Sequence, residues 1–236
     1  MSSTPESDLR MVARASGISL LDYAPQHVAG CLRRALVHNG VPTARALAER
    51  LSRDRRAREA FRRSVLVGVT RMFRDEQEFA LLERRLLPEL LARRPALSVW
   101  AAGCSTGEEL RSVAVLLERR GALAGSHLLG TDILGESVSA AARDAAELPP
   151  AARSAIRFEQ QDLISAGASA ARFDLVLCRN VAIYFKPAVQ RKLQHRLVAA
   201  LRPGGFLMLG HSETVLDTGT AGLEAVSRHA FRKVAA

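Results

Sequence analysis

Apolar residues along the chain follow two different periods, and the change of period near residue 95 divides the chain into two parts. Before that point they recur at helical spacing. Helices are predicted at Leu20–Asn39, Ala44–Leu51, Ser52–Val67 with Ser52 as the cap, and Asp75–Arg94. Pro88 is expected to kink or split the last of them. The pattern predicts a helical N-terminal domain over residues 1–74 and a linker helix over residues 75–95.

Short apolar runs alternate with helical stretches over residues 96–236. Strands are predicted at Leu97–Ala102, His127–Ile133, Ile156–Gln160, Phe173–Cys178 and Gly205–Gly210. Helices fit between them at Gly107–Arg120, Gly135–Glu147 and Ala188–Leu201, and Leu223–Val234 is expected to form a last strand or hairpin. This alternation predicts an α/β domain with a doubly wound, mostly parallel sheet.

The stretch Leu97–Leu110, LSVWAAGCSTGEEL, joins a predicted strand to a predicted helix through a glycine turn. Gly103 lets the backbone approach a ligand closely. Glu108 and Glu109 open the helix with negative charge, which suits a cationic ligand and repels a phosphate. Asp132 ends the second strand, where an acidic residue is placed to accept ribose hydroxyls. Together these residues predict a site for a positively charged nucleoside, and S-adenosylmethionine fits that description.

Composition narrows the choice of partners. The formal net charge is +10, and residues 1–95 carry 18 basic and 11 acidic residues, so a basic N-terminal surface favours an acidic partner. The run Arg53–Arg63 holds six arginines and is either a solvated helix face or a partner-binding surface. No stretch is apolar enough to cross a bilayer, and the six histidines lack metal-ligand spacing. The first residues, MSSTPESDLR, lack the charged-then-apolar pattern of a secretory signal, so none is expected here. With three widely separated cysteines, a cytoplasmic location is expected.

Several blocks of the chain, in one order, resemble the CheR-type chemotaxis methyltransferases, which are class I S-adenosylmethionine-dependent enzymes that methylate glutamates of chemoreceptors. The blocks are Asp22-Tyr23, Leu32-Arg33-Arg34, Thr70–Asp75, Val99–Glu109, Thr131-Asp132-Ile133, Phe173–Phe185 and Leu201–Glu213. The resemblance implies S-adenosylmethionine as cofactor and S-adenosylhomocysteine as product. It also implies an acidic protein substrate, such as the cytoplasmic helices of a chemoreceptor, bound through the basic N-terminal domain. Insertion into a membrane is not expected, and neither is a nucleic-acid partner.

The resemblance also implies where the cofactor binds. Thr70 and Arg74 would sit near its methionine end, Glu108 would meet its polar or cationic part, and Asp132 would meet the ribose. Asp162-Leu163 would lie near the adenine.

Three further residues are expected in the site from the same resemblance. Arg179 and Asn180 would line the cofactor pocket at the end of the fourth strand, and Tyr184 would face the reacting methyl group. Either Arg74 or Arg179 would hold the acceptor carboxylate by a bidentate contact. Tyr184 and Arg74 are therefore the predicted catalytic residues.

The chain departs from the family pattern at three places. Gly68 stands where the family has Asn, and Leu110-Arg111 stand where it has Pro-Tyr. Only 29 residues separate Asp132 from Asp162, where family members carry an inserted β-subdomain. In some members that insert binds a peptide at the receptor's C-terminus, and this chain is not expected to do so.

Other functions compete with this reading. Gly103–Gly107 is formally G-x-S-x-G, so Ser105 could be a hydrolase nucleophile with Asp174 and either His195 or His211, although only helices precede this strand. A non-catalytic binder of S-adenosylmethionine or S-adenosylhomocysteine is a second alternative. A methyltransferase acting on RNA or a small molecule is the third.

Overall fold

The computed structural model describes residues 4–68, 70–165, 171–216 and 222–234. The chain divides into two compact units, Met1–Gly68 with Tyr184–Val189, and Val69–Ile183 with Gln190–Ala236. The first boundary therefore falls at Gly68, earlier than the predicted residue 74. The stretch predicted as a linker helix lies within the second unit, because Phe79, Leu82 and Leu86 are buried in the core of that unit.

Four α-helices form most of the described part of the first unit. They are α1 (Glu6–Ser16), α2 (Pro25–Asn39), α3 (Ala44–Arg53) and α4 (Arg55–Val65), with a 3₁₀ turn at Leu20–Asp22. Helix α2 ends where Asn39-Gly40 predicts, since Gly40 adopts a left-handed conformation. Helix α4 is capped by Asp54 rather than by Ser52. The Asp54 carboxylate accepts hydrogen bonds from two backbone N–H groups of α4, whereas the Ser52 hydroxyl donates to Ala48 within α3.

A seven-stranded sheet organises the second unit, in the order β3-β2-β1-β4-β5-β7-β6. The strands are β1 (Ser98–Ala102), β2 (His127–Asp132), β3 (Ile156–Gln160), β4 (Phe173–Cys178), β5 (Leu201–Leu209), β6 (Leu223–Ala225) and β7 (Ala230–Lys233). The first five pair in parallel, and β6 and β7 form the antiparallel hairpin predicted for the tail. The strand order reverses between β1 and β4, and ligands of doubly wound sheets bind at such a switch point.

Strand β5 begins four residues earlier than predicted. Leu201 pairs with Phe173, and the pairing register then shifts before Leu175 meets Phe206. The Pro-Gly-Gly turn is therefore an irregularity within the strand rather than a boundary before it, with Gly204 in a left-handed conformation.

Helices cover the sheet between its strands. They are α5 (Glu76–Leu81), α6 (Leu87–Leu91), α7 (Glu108–Arg119), α8 (Gly135–Ala146), α9 (Pro150–Ala155) and α10 (Pro187–Ala200). A π-helical turn, Leu82–Leu86, joins α5 to α6 immediately before Pro88. The wider turn accommodates a proline that donates no hydrogen bond, so the predicted kink takes this form.

The region between β2 and β3 holds α8 and α9, and residues 133–155, all of them described, contain no strand. This interval therefore holds no inserted β-subdomain, in agreement with the short spacing between Asp132 and Asp162. Within the described ranges, no helix combines the length and apolar character required to cross a bilayer.

Candidate functional site

The turn that follows β1 lies at the switch point of the sheet. The backbone N–H groups of Gly103 and Cys104 both donate to the carbonyl of Thr131 on β2, at 2.8 and 2.9 Å. Gly103 has φ +80°, and a Cβ atom at this position would lie 2.5 Å from a methyl carbon of Val181, in the loop after β4. Only glycine fits here, because the turn packs directly against Val181 and joins the ends of β1 and β4. The expected approach of this backbone to a ligand remains a prediction.

Asp132 at the end of β2 is held in a single orientation. One carboxylate oxygen accepts from the Ser105 N–H and the other from the Leu134 N–H, both at 2.9 Å. Burial raises the pKa of Asp132, and the N–H groups of Leu134, Ser105 and Ile133 oppose that shift. Each oxygen retains acceptor capacity, so the carboxylate is oriented to receive two further hydroxyl donors.

The two glutamates that open α7 have different surroundings. Glu108 is partly exposed, accepts from the Thr106 hydroxyl at 2.8 Å and forms an ion pair with Arg111 at 3.3 Å. The Glu109 side chain is 13% exposed and forms an ion pair with Arg179 at 2.9 Å. Burial raises the pKa of Glu109, and the adjacent guanidinium opposes that shift. Arg111 therefore gives Glu108 a cationic neighbour.

The Arg179 guanidinium is enclosed by protein groups. It donates to Glu109 at 2.9 Å, to the Asp75 carboxylate at 2.8 Å and to the Arg74 carbonyl at 2.6 Å. It also lies over the Phe79 ring, 5.2 Å from the centroid. These contacts leave it badly placed for the expected bidentate grip on an acceptor carboxylate. The Arg179 side chain instead binds the Arg74 carbonyl and the Asp75 carboxylate, and these contacts fix the conformation of that segment.

The segment that carries Thr70 and Arg74 is fixed on α7 by a buried hydroxyl. Ser112 accepts from the Phe73 N–H at 2.9 Å and donates to the Glu108 carbonyl at 2.8 Å. Both Phe73 and Asp75 have left-handed backbone conformations, with φ of 53° and 59°. Non-glycine residues adopt this region at a cost, and such conformations concentrate at functional sites. The segment is thus held in a defined shape beside the two glutamates.

In the loop after β3, the Asp162 carboxylate is hydrogen-bonded to residues of the same loop. The carboxylate accepts from the Ile164 N–H at 2.8 Å and from the Ser165 hydroxyl at 2.9 Å. Leu163 is buried, and its carbonyl accepts from Arg196. An adenine ring at this loop would therefore meet apolar surface and backbone more than the Asp162 carboxylate. That contact remains a prediction.

Tyr184 belongs to the helical unit. Its carbonyl accepts from the Ala24 N–H at 2.9 Å, and its ring centroid lies 4.9 Å from that of His27. The adjacent Phe185 forms an antiparallel bridge with Tyr23. The expected role of Tyr184 beside the reacting methyl group remains a prediction.

The hydrolase alternative fails on geometry. Ser105 follows the carboxyl end of β1, and its N–H is bound to Asp132. Asp174 lies near the opposite end of β4, where it pairs with Arg202 at 2.8 Å and accepts from the Ser98 N–H at 2.8 Å. The proposed nucleophile and acid stand at opposite edges of the sheet, so they cannot form a triad.

Several functional contacts were missed by sequence reasoning. Ser112 and Glu213 are buried polar residues, and Asp75 supplies one of the partners of Arg179. Ser112 left a signal, because it is a polar residue on the apolar face of an amphipathic helix. Glu213 closes the last of the resembling blocks, but three of its four partners lie 31 to 33 residues away and leave no local pattern.

The residues at this edge suit one kind of ligand. A glycine turn follows β1, an oriented carboxylate ends β2, and two glutamates open α7, where Arg111 and Arg179 pair with them. With Asp75 and Asp132, the carboxylates at this edge outnumber the two paired arginines, an arrangement that fits a nucleoside with a cationic group better than a phosphate. Fold and site together are those expected of a class I S-adenosylmethionine-dependent methyltransferase.

Comparison with known proteins identifies the family. The family model for the CheR methyltransferase SAM-binding domain matches residues 68–147 and 138–229, so the chain belongs to the CheR methyltransferase family. It is 29% identical to chemotaxis protein methyltransferase 1 of Pseudomonas aeruginosa, over 86% of each chain. It is 28% identical to the chemotaxis protein methyltransferase of Listeria innocua, over 95% of each.

Two other known proteins are similar to this chain over a smaller part of their own length. An uncharacterised 104.1 kDa protein of Rhodobacter capsulatus is 32% identical over 89% of this chain, which spans only 25% of that protein. A solved S-adenosylmethionine-dependent methyltransferase from Mesorhizobium loti overlaps 54% of this chain and 50% of its own, with a TM-score of 0.39 and 24% identity.

Proposed function

We propose that this methyltransferase transfers a methyl group to glutamate carboxylates of an acidic, helical protein of the chemoreceptor type. The observation that carries the proposal is the match to the chemotaxis methyltransferases over 86–95% of the chain. The carboxylate-rich edge of the sheet supports the cofactor, because it favours a cation over a phosphate.

Individual residues would hold the cofactor as follows. Asp132 would accept the ribose hydroxyls, Gly103 would let the backbone approach, and Glu108 would meet the cationic end. Thr70 and Arg74 would bind the methionine carboxylate, in the shape that Ser112 and Arg179 impose on their segment. When bound, S-adenosylmethionine supplies an electrophilic methyl group on a sulfonium.

The acceptor needs little help from the protein. A glutamate carboxylate is already ionised at neutral pH, so it requires no general base. Orientation of the two reactants in a site that excludes water is worth roughly 7–11 kcal/mol in favourable cases. Tyr184 would contribute by presenting its ring to the sulfonium.

Recognition of an acidic acceptor would fall to the helical unit. A surface groove on that unit is lined by Arg50, Arg53, Arg55 and Arg56 together with Glu49 and Asp54. Arginine in excess of acid favours an acidic surface over a basic one. Because residues 133–155 contain no β-subdomain, the acceptor would be found without a receptor C-terminal peptide. The three free thiols, all buried, are compatible with a reducing cytoplasm.

The test is transfer of radiolabelled methyl groups from S-adenosylmethionine to a purified chemoreceptor cytoplasmic fragment. Label that mild base releases as methanol identifies methyl esters and supports the proposal. A receptor fragment with its methylatable glutamates replaced by alanine is the matched acceptor control. The Asp132→Ala variant is the matched enzyme control.

Other outcomes separate the alternatives. Base-stable label in RNA or a small molecule would overturn the proposal in favour of a different acceptor. Tight binding of S-adenosylhomocysteine with no transfer to any acceptor in a host lysate would indicate a non-catalytic binder.

A further inference from the structure

The Glu213 side chain is surrounded by backbone N–H groups. One carboxylate oxygen accepts from Val181 at 2.9 Å and Ala182 at 2.7 Å. The other accepts from Asn180 at 2.7 Å and Gly210 at 2.8 Å. Four donors converge on a carboxylate whose residue is 7% exposed. Charge-assisted bonds of this kind are about twice as strong as neutral ones.

Three of these donors come from consecutive residues after β4. Asn180 has φ +60°, and a left-handed residue followed by further N–H groups on one side forms a concave nest that binds anions. Anion-binding backbone of this type commonly receives phosphate in nucleotide-binding proteins. Here Glu213, from the turn after β5, already occupies the nest.

Gly210 allows the carboxylate to enter the nest. A Cβ atom on Gly210 would lie 2.7 Å from the Asn180 nitrogen and 2.8 Å from the nearer Glu213 oxygen. Any side chain would therefore push β5 away from the loop. The Glu213 backbone is fixed in turn, since its N–H donates to the Gly210 carbonyl at 2.9 Å and its carbonyl contacts Nδ1 of the buried His229 at 3.1 Å.

The nest also connects to the first strand. Val181 is the residue whose methyl carbon fills the space that the missing Gly103 side chain leaves. The Val181 N–H donates to the Glu213 carboxylate, and the Val181 side chain packs against Gly103 in the turn after β1. The ends of β1, β4 and β5 are thus interlocked through a single loop.

We propose that Glu213 is a positioning residue for the cofactor site. It fixes the Asn180–Ala182 loop in its left-handed shape, which places Asn180 toward the cofactor and holds Val181 against Gly103. By filling the nest it also removes an anion site from the switch point, so the loop accepts a sulfonium nucleoside and offers no amides to a phosphate. The cofactor part of this inference rests on the proposed site.

The first test needs no variant. Asn180, Val181 and Ala182 lie outside any strand, yet the carboxylate should protect their N–H groups from hydrogen exchange as strongly as β4 amides are protected. In Glu213→Gln an NH₂ group faces two of the donors, so exchange at these amides and at Gly210 should accelerate at least about tenfold. Amides of β1 should keep their wild-type rates.

The second test is calorimetric titration of S-adenosylhomocysteine. Glu213→Gln should weaken binding about tenfold, with a thermal unfolding transition that shows the protein folded. Glu213→Asp keeps the charge on a shorter side chain and should restore part of the affinity and part of the protection. Glu224→Gln, at a carboxylate 63% exposed, is the matched control and should leave both measurements unchanged.

The outcomes separate this inference from the proposed function. Unprotected Asn180–Ala182 amides in the wild type, or wild-type exchange and affinity in folded Glu213→Gln, would overturn it. If Glu213→Gln does not fold, the wild-type exchange rates and Glu213→Asp decide. A wild type that binds no S-adenosylhomocysteine would refute the cofactor site, while the exchange rates would still decide whether Glu213 holds the loop.

Discussion

The carboxylate of Asp132 is oriented by the local backbone and is the proposed acceptor of the ribose hydroxyls. Two backbone N–H groups orient its carboxylate, and burial raises its pKa. Asp132→Ala removes the proposed ribose acceptor, which should weaken S-adenosylhomocysteine binding by about 1.5–3 kcal/mol in a calorimetric titration. Asp8→Asn, in helix α1 of the other unit, should leave the affinity unchanged. Wild-type affinity in a folded Asp132→Ala protein would refute the ribose contact.

The raised pKa of Asp132 also predicts a pH dependence. Because the shift is upward, the carboxylate takes up a proton at a higher pH than an exposed Asp does. Protonation removes the charge that strengthens its bonds to hydroxyl donors. Affinity for S-adenosylhomocysteine should therefore fall on acidification, starting above the range of an ordinary Asp, and Asp132→Ala should lose this component. Identical pH profiles for the two proteins would count against the assignment.

The cysteines give a second prediction at the residue scale. Burial raises the pKa of Cys31, Cys104 and Cys178, although Arg34 partly opposes the shift at Cys31. The thiolate is the reactive form, so all three should react far more slowly with an aromatic disulfide reagent than free cysteine does at the same pH. Denaturant should expose three thiols per chain. A thiol that reacts at the rate of free cysteine in the native protein would contradict the burial described here.

At the scale of elements, strand β2 is packed so tightly that one methyl group should matter. A Cβ atom on Gly130 would lie 2.6 Å from two ring carbons of Phe158 and 3.0 Å from the Cys104 sulfur. Gly130→Ala should therefore destabilise its unit by about 1–3 kcal/mol through overpacking, as measured by thermal or denaturant unfolding.

The same chemical change in helix α2 should have the opposite sign. A Cβ atom on Gly30 would meet only the end of the Arg34 side chain, at 3.5 Å. Gly30→Ala should stabilise α2 by about 0.5–1 kcal/mol, because alanine loses less backbone entropy in a helix than glycine does. Equal effects of Gly30→Ala and Gly130→Ala would show that packing around β2 is looser than these distances indicate.

Elements were predictable where their determinants are local. Strands β3 and β4 have the predicted bounds, because each is a short run of apolar or alternating residues between turn signals. The start of β5 was not predictable from the Pro-Gly-Gly turn, since it depends on the pairing of Leu201 with Phe173. The separate helix α9 was not predicted either, although Pro150 stands at its first position.

In the candidate site, too, the residues with local sequence signals were predictable and those with distant partners were not. Gly103 and Asp132 could be selected from the sequence because a turn after a strand and an acid at a strand end are local signals. The partners of Arg179 could not be, because Asp75 and Glu109 lie 104 and 70 residues away. An arginine expected to bind substrate therefore has its charge neutralised within the protein.

At the scale of the whole molecule, positive charge is distributed unevenly. Residues 1–95 carry 18 basic and 11 acidic residues, whereas residues 96–236 carry 16 and 13. The proposed cofactor site, in contrast, contains carboxylates that are partly buried and paired with arginines. Salt screens exposed charges separated by more than about 10 Å at 0.1 M and affects buried pairs much less. Ionic strength should therefore distinguish acceptor recognition from cofactor binding.

Raising the salt concentration from about 0.1 M to about 0.5 M should raise KM for an acidic receptor fragment severalfold, with little change in the Kd of S-adenosylhomocysteine. A double variant, Arg53→Gln with Arg56→Gln, should raise KM at low salt and flatten its salt dependence, because both arginines line the groove on the helical unit. Arg143→Gln with Arg153→Gln removes two exposed arginines from the other unit and should leave the salt dependence as in the wild type. Equal effects of the two double variants would mean that net charge alone attracts the acceptor. A KM insensitive to salt in the wild type would show that the acceptor is recognised by other means than the basic surface.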